Sequence, residues 1–399
     1  MSLLSNGSAY IVGEVVSKLI PFLMLPYLTR KLGVEGFGDL AYYLMIYTFS
    51  LIFISISQAG ALTRYYFRYG HNGIPSVMLA GFSFAFISTL LIITALVIGG
   101  GELYIFPVLL AFTQTIVSSL LSQRQCKQEV FRYIQLQFLI SLSVSLLTIF
   151  AFEWINTSAI IRINSLIAGQ ILSIFFVFIF AIPKIGLIKF SFYKFKLHLL
   201  YTLGFGLPLI IHQISFFGKG QFDRFLIPQK FTLSELGLYS AAFQLASILT
   251  VLLYAVNKAI VPVLYLKLKN KELSKQDILY YARKSLLITP IPALIAYLLP
   301  KELYVVVLGD GFDGAKYFVY TFLIGLALHF PYQILANFLF YHGQNRTIAT
   351  ITMLSLVVHV LFVLLFAHLS QLSMMPYAIA ISNATVIGLL YANIRKHKN

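Results

Sequence analysis

Cysteine is nearly absent. Cys126 stands alone, which excludes an intrachain disulfide and any metal site built on several thiolates. Acidic residues are also scarce, 13 Asp and Glu against 29 Lys and Arg. Charged residues make up only 11% of the chain, where a soluble domain has roughly a quarter. No stretch of useful size has the composition of a soluble domain. A GxxxxGK[ST] phosphate loop is missing, since Gly218-Lys219-Gly220 does not match it, and this excludes an ATP-driven pump. Paired catalytic carboxylates, a Ser/His/Asp set and metal-ligand spacing are missing too, so nothing points to an enzyme, a metal or a cofactor. At the start there is no charged region followed by a small-residue cleavage site. The first apolar span is therefore expected to remain as an uncleaved anchor.

What is present is apolar. Hydrophobic residues are 59% of the 399, and the mean hydropathy is +0.86. Apolar runs of about twenty residues recur from end to end, the length a helix needs to cross hydrocarbon with its backbone satisfied internally. The chain therefore reads as an all-α polytopic membrane protein with about twelve transmembrane helices. Spans are expected near 9–29, 39–62, 75–98, 103–123, 133–153, 158–182, 200–222, 236–261, 283–300, 316–340, 347–368 and 374–394. Those around Arg162 and between Arg283 and Pro300 are the weakest.

The net charge of +16 does not signal nucleic acid, because the basic residues cluster in short loops beside spans. Nineteen of the 29 fall after even-numbered spans or at the C-terminus, and seven on the opposite side. This bias predicts that both termini are cytoplasmic. Arg30 and Lys31, after the first span, run against it locally.

A weak internal repeat divides the chain. LTRKLGVEGFGDLAYYL (28–44) parallels IPQKFTLSELGLYSAAF (227–243), with Lys31 opposite Lys230 and Gly38 opposite Gly237, each 199 residues apart. Two related six-helix lobes around a central cavity follow from such a repeat. The lobes would be 1–183 and 199–399, joined by a cytoplasmic linker, 184–198.

The stretch from Leu203 to Leu245 carries most of the polar chemistry. His212, Ser215, Lys219 and Asp223 are spaced three, four and four apart, so a helix keeps them on one face. Ionisable groups at bilayer depth face a bundle interior or a wet cavity. Two readings stand side by side: a self-neutralised Lys219–Asp223 pair that locks helices, or a cavity wall that handles a charged ligand. His329, Gln333 and Asn337 share a face of span ten and read as interhelical hydrogen bonding, with sugar hydroxyls as the alternative partners. GDGFDG (309–314) lacks the ligand spacing and closing Glu of an EF-hand and reads as a turn.

Four pieces of the chain carry a family resemblance. They are PYLTRKLGVEGFGDLAYY, QAGALTRYYFR, FDRFLI with ELGLYSAAFQLA, and VLGDGFDGAKY, in that order. Together they resemble the polysaccharide and O-antigen lipid flippases, the Wzx type of the multidrug/oligosaccharidyl-lipid/polysaccharide exporter superfamily. The resemblance implies two six-helix lobes with a V-shaped cavity and alternating access in a bacterial plasma (inner) membrane. Its expected cargo is an undecaprenyl-diphosphate-linked oligosaccharide, an O-antigen, capsule or exopolysaccharide repeat unit, with association with polysaccharide polymerase machinery. A diphosphate cannot cross hydrocarbon unaided, so such a cavity must be wet and cationic. The candidate cations are Lys18, Lys219, Arg224 and Lys258, with His212 beside them. Lysine suits phosphate as a point charge, whereas Arg224 could engage it bidentately. Glu14, one turn before Lys18, either neutralises it or carries a coupling proton or sodium ion. Asp223 has the same two roles open to it.

Other classes fit less well. A multidrug or cation antiporter of the same superfamily would want a negatively biased cavity. An oligosaccharide polymerase should carry catalytic residues on a sizeable outer loop, and no expected outer loop exceeds about fifteen residues. The loop LTRYYFRYGHNG lacks the Gly/Asp/Arg-rich signature of a major-facilitator carrier.

Overall fold

A computed structural model of the chain describes residues 20–181 and 191–396. Every regular element among them is a helix. Among the described residues ten helices are long and apolar enough to cross a membrane, or eleven if the bent pair Lys275–Leu298 and Lys301–Leu308 counts as one span. The chain is a multi-pass membrane protein. Helix limits follow the apolar runs: Ile74–Ile98 stands for 75–98, Val130–Trp154 for 133–153, and Asn345–His368 for 347–368. The expected first span, 9–29, lies mostly outside the described residues, as does the first part of the expected linker.

By contact the chain forms two compact units, Met1–Leu32 with Asp39–Phe217, and Gly33–Gly38 with Gly218–Asn399. That boundary falls inside the helix Phe192–Lys230. The lobes expected at 1–183 and 199–399 are a division by repeat, a different criterion.

In the first unit, Ile56 and Ser57 take left-handed φ values of 42° and 54° and separate helix Leu25–Ser55 from helix Gln58–Tyr69. A β-branched residue rarely adopts that conformation, so its surroundings must hold it there. The Gly206 backbone lies so close to the Ile56 carbonyl that no Cβ fits at 206, and the Gln213 amide donates to the Ser57 hydroxyl. Arg162 is buried within helix Ala159–Ala181 and donates to the Thr148 hydroxyl on helix Val130–Trp154. Its charge therefore serves packing between neighbouring helices. Lys31 pairs with Glu153 at 2.9 Å on an exposed surface, where an ion pair contributes little. In the loop after Cys126, burial works to raise the Glu129 carboxyl. Arg124, at 2.5 Å, and Arg132, at 3.3 Å, outweigh it and hold Glu129 below its ordinary range.

In the second unit, Gly38 and Gly237 pack against one another. A Cβ at Gly38 would strike the Leu233 carbonyl, and a Cβ at Gly237 the Val34 carbonyl. The contact is reciprocal at the 199-residue offset, Val34 matching Leu233 as Gly38 matches Gly237. Glycine permits this approach of two helix backbones. The segment 309–314 is a turn, with Gly309 and Gly311 at φ 98° and 86°, and it seats the fully buried Phe312 edge-on to Phe37. The weak span between Arg283 and Pro300 is interrupted. Helix Lys275–Ser285 ends before Pro290–Leu298; Pro290 opens the second helix, where its missing N–H is tolerated, and Thr289 before it keeps right-handed helical angles.

Candidate functional site

Helices Phe192–Lys230 and Leu233–Lys269 are joined by a short turn. A capping box closes it: the Thr232 hydroxyl accepts from the Glu235 N–H at 3.1 Å, and the Glu235 carboxylate accepts from the Thr232 N–H at 2.9 Å. The turn brings Tyr239 back to Asp223, and the Tyr239 hydroxyl donates to the Asp223 carboxylate. Asp223 is 2% exposed, and Tyr239 is fully buried. Asp223 also accepts the Arg224 backbone N–H at 2.8 Å and lies 3.8 Å from the Arg224 guanidinium. That guanidinium donates to the Gly220 carbonyl at 2.6 Å and to Gln221 at 3.1 Å, and lies 4.4 Å from the centre of the Phe243 ring. A buried charge is tolerable only with partners of this kind.

Lys219, one turn earlier, turns elsewhere. Its ammonium donates to the Ser355 hydroxyl at 3.0 Å on helix Asn345–His368, and Ser355 donates in turn to the Ser382 carbonyl at 3.0 Å on helix Tyr377–Lys396. Among the described residues no ion pair joins Lys219 to Asp223. The shared helical face is present; the pair is not. Asp223 is engaged by Tyr239 and Arg224, and Lys219 is left with a hydroxyl. Two cations face one carboxylate, so this interior is biased toward anions.

Two histidines complete the cluster. His359 follows Ser355 by one turn and is fully buried, with the Ala378 backbone beside its ring. It lies within electrostatic reach of both Asp223 and Lys219. His329 sits in reach of the Lys219 charge, with Nε2 3.5 Å from the Tyr254 hydroxyl and Nδ1 unpartnered. Beyond it, Asn337 donates to Asn257 at 2.7 Å, an interhelical bond of the kind expected for that face.

The structure thus gathers Lys219, Asp223 and Arg224. His212 is exposed in the first unit, its ring edge-on to Phe216 at 4.8 Å. Lys258 is exposed on helix Leu233–Lys269. Lys18 and Glu14 lie outside the described residues. Sequence reasoning missed Tyr239, Ser355, Ser382 and His359. Only His359 carried a signal, as an ionisable side chain in the middle of the apolar run 347–368; hydroxyls are too common in membrane helices to stand out.

Comparison with known proteins places this geometry in context. Residues 3–267 match the family described as polysaccharide biosynthesis protein. The Lsg locus putative protein 1 of Haemophilus influenzae is 36% identical over 392 residues, which is 98% of each chain. Among solved structures, the lipid II flippase MurJ in its inward closed conformation is similar with a TM-score of 0.74 at 11% identity, over 97% of this chain and 87% of that one. An inward-facing multidrug resistance MATE transporter of the MOP superfamily is similar with a TM-score of 0.70 at 14% identity, over 94% of both. At such identities the likeness is one of fold.

Proposed function

Because the chain belongs to the polysaccharide biosynthesis protein family, we propose that it is a flippase for a lipid-linked oligosaccharide. The cargo would be an undecaprenyl-diphosphate-linked repeat unit, carried from the cytoplasmic to the outer leaflet by alternating access. One observation carries the reading: Lys219 sits in a spanning helix with a hydroxyl for a partner, while the nearby carboxylate is engaged by other groups. An ammonium so placed can meet a diphosphate without first leaving an acid. Arg224 is less suited, because its guanidinium already donates to Gly220 and Gln221.

The MATE-like fold favours a second reading, a multidrug antiporter. The cation excess around Lys219 argues against it, since cationic drugs would be repelled.

Deleting the gene tests both. Under the flippase reading, surface polysaccharide disappears, lipid-linked repeat units stay inaccessible to reagents that cannot cross the membrane, and the full-length chain restores export. Unchanged surface polysaccharide with heightened drug sensitivity would reject the flippase and favour the antiporter.

The proposed orientation puts both termini in the cytoplasm, from the basic-residue bias. Single cysteines at Lys194 and Lys316, in a Cys126→Ser background, test it. Position 316 is expected to react from outside and position 194 only after permeabilisation; external labelling at 194 overturns the orientation.

A further inference from the structure

The second unit has another concentration of chemistry, at its bend. The pair Lys275–Leu298 and Lys301–Leu308 turns through 83° at Leu299-Pro300. The turn 309–314 then leads into helix Ala315–Ala327. These segments bound an open groove of about 360 Å³ lined by Lys301, Asp313, Gly314, Lys316, Tyr317 and Tyr320. The Tyr320 ring meets Tyr297 edge-on at 5.5 Å and Tyr317 at 5.3 Å. Tyr317 is tied down by donating to the Ser373 carbonyl at 3.2 Å. The Lys316 ammonium lies 5.5 Å from the centre of the Tyr297 ring. Among the described residues no carboxylate forms an ion pair with Lys301 or Lys316.

Each feature narrows the ligand. Two ammonium groups against one carboxylate favour an anion. Tyrosine faces and edges favour a ring with C–H groups to lay against them, which a bare phosphate lacks. Small-molecule sites run from about 300 to 1,000 Å³, so this groove has room for one sugar ring. Lysines that merely anchor a membrane interface extend their ammonium away from apolar surface into water. Here Lys316 instead lies beside the Tyr297 ring at the edge of the groove.

We propose that this groove is a subsite for an acidic monosaccharide unit. Lys301 and Lys316 meet the sugar's carboxylate, a tyrosine ring packs on its C–H face, and Asp313 accepts from its hydroxyls. The inference rests on the flippase reading for its biological meaning and deepens it: the repeat unit carried would contain an acidic sugar.

The test uses the full-length chain in phosphatidylcholine nanodiscs, with glucuronate as probe and saturation-transfer NMR as readout. Glucuronate ring protons are expected to receive saturation, glucose much less, and inorganic phosphate should compete only weakly. The double variant Lys301→Gln/Lys316→Gln should lose at least tenfold in glucuronate affinity while eluting as wild type on size exclusion. Tyr320→Leu, which keeps both charges, should lose a comparable amount. Equal binding of glucose and glucuronate overturns the proposal, as does absence of glucuronate binding to wild type. So does displacement of glucuronate by phosphate or by phosphatidylglycerol in the nanodisc, which would make the groove a phosphate or lipid-headgroup site. The outcomes separate the two readings. Glucuronate binding together with normal surface polysaccharide in the deletion strain removes the flippase and leaves the site. Lost polysaccharide without glucuronate binding removes the site alone.

Discussion

Lys219→Glu is expected to reduce surface polysaccharide to the level of cells lacking the chain, at wild-type abundance in the membrane. The reversal removes the ammonium that Ser355 holds and puts a carboxylate one turn from Asp223. Two like charges about 4 Å apart repel by about 4 kcal/mol at an effective dielectric near 20, and a diphosphate approaching the same place meets the same sign. Lys219→Arg should be milder, because the charge survives although the planar fork cannot reproduce a point donor. Lys219→Gln should lie between them. The exchange Lys219→Asp with Asp223→Lys is expected not to recover export. Asp223 works with Tyr239 and Arg224, and a lysine there would face Arg224 across a space of about one ion pair. Recovery by the exchange would establish a plain neutralising pair and remove Lys219 from substrate handling. Normal export from Lys219→Glu would remove the cationic site altogether.

The contrast between face and partner explains what the sequence made legible. Several spans, such as those at 75–98, 133–153 and 347–368, could be placed within a few residues because hydrocarbon imposes both length and apolarity on a helix. The span between Arg283 and Pro300 read as weak, but the place of its break before Pro290 was not read from the sequence. Nor was the interruption at Ile56-Ser57, because neither residue favours left-handed backbone; Gly206 and Gln213, some 150 residues away, impose it. Helical spacing likewise placed Lys219 and Asp223 on one face and could say no more. Which group each one meets depends on Ser355 and Tyr239, brought there by other helices. The Gly38–Gly237 match went further than most such signals. A weak repeat, read as an offset, turned out to pair two positions that touch.

The same network sets the second large effect, on stability. Asp223→Leu is expected to destabilise the second unit by about 3–5 kcal/mol, the range for removing one member of a buried ion pair. The side chain is 2% exposed, and its loss leaves Arg224, 6% exposed, without its carboxylate and Tyr239 with a buried hydroxyl and no acceptor there. The guanidinium keeps Gly220, Gln221 and the Phe243 ring, which should hold the loss within that range. Asp223→Asn keeps the acceptor for Tyr239 and gives up only charge, so it should cost less. Tyr239→Phe removes one hydrogen bond to a charged group, about 1.5–3 kcal/mol, and leaves the ring packed edge-on to Phe322 at 4.8 Å. Because both changes break the same bond, their effects should not add: the double variant should lie close to Asp223→Leu alone. Heating the detergent-purified variants and measuring the fraction that stays monodisperse orders them. The expected order of midpoints is wild type, then Tyr239→Phe and Asp223→Asn, then Asp223→Leu with the double variant. A wild-type midpoint for Asp223→Leu would mean that Arg224 is satisfied without its carboxylate, and the anion-biased interior would lose its structural basis.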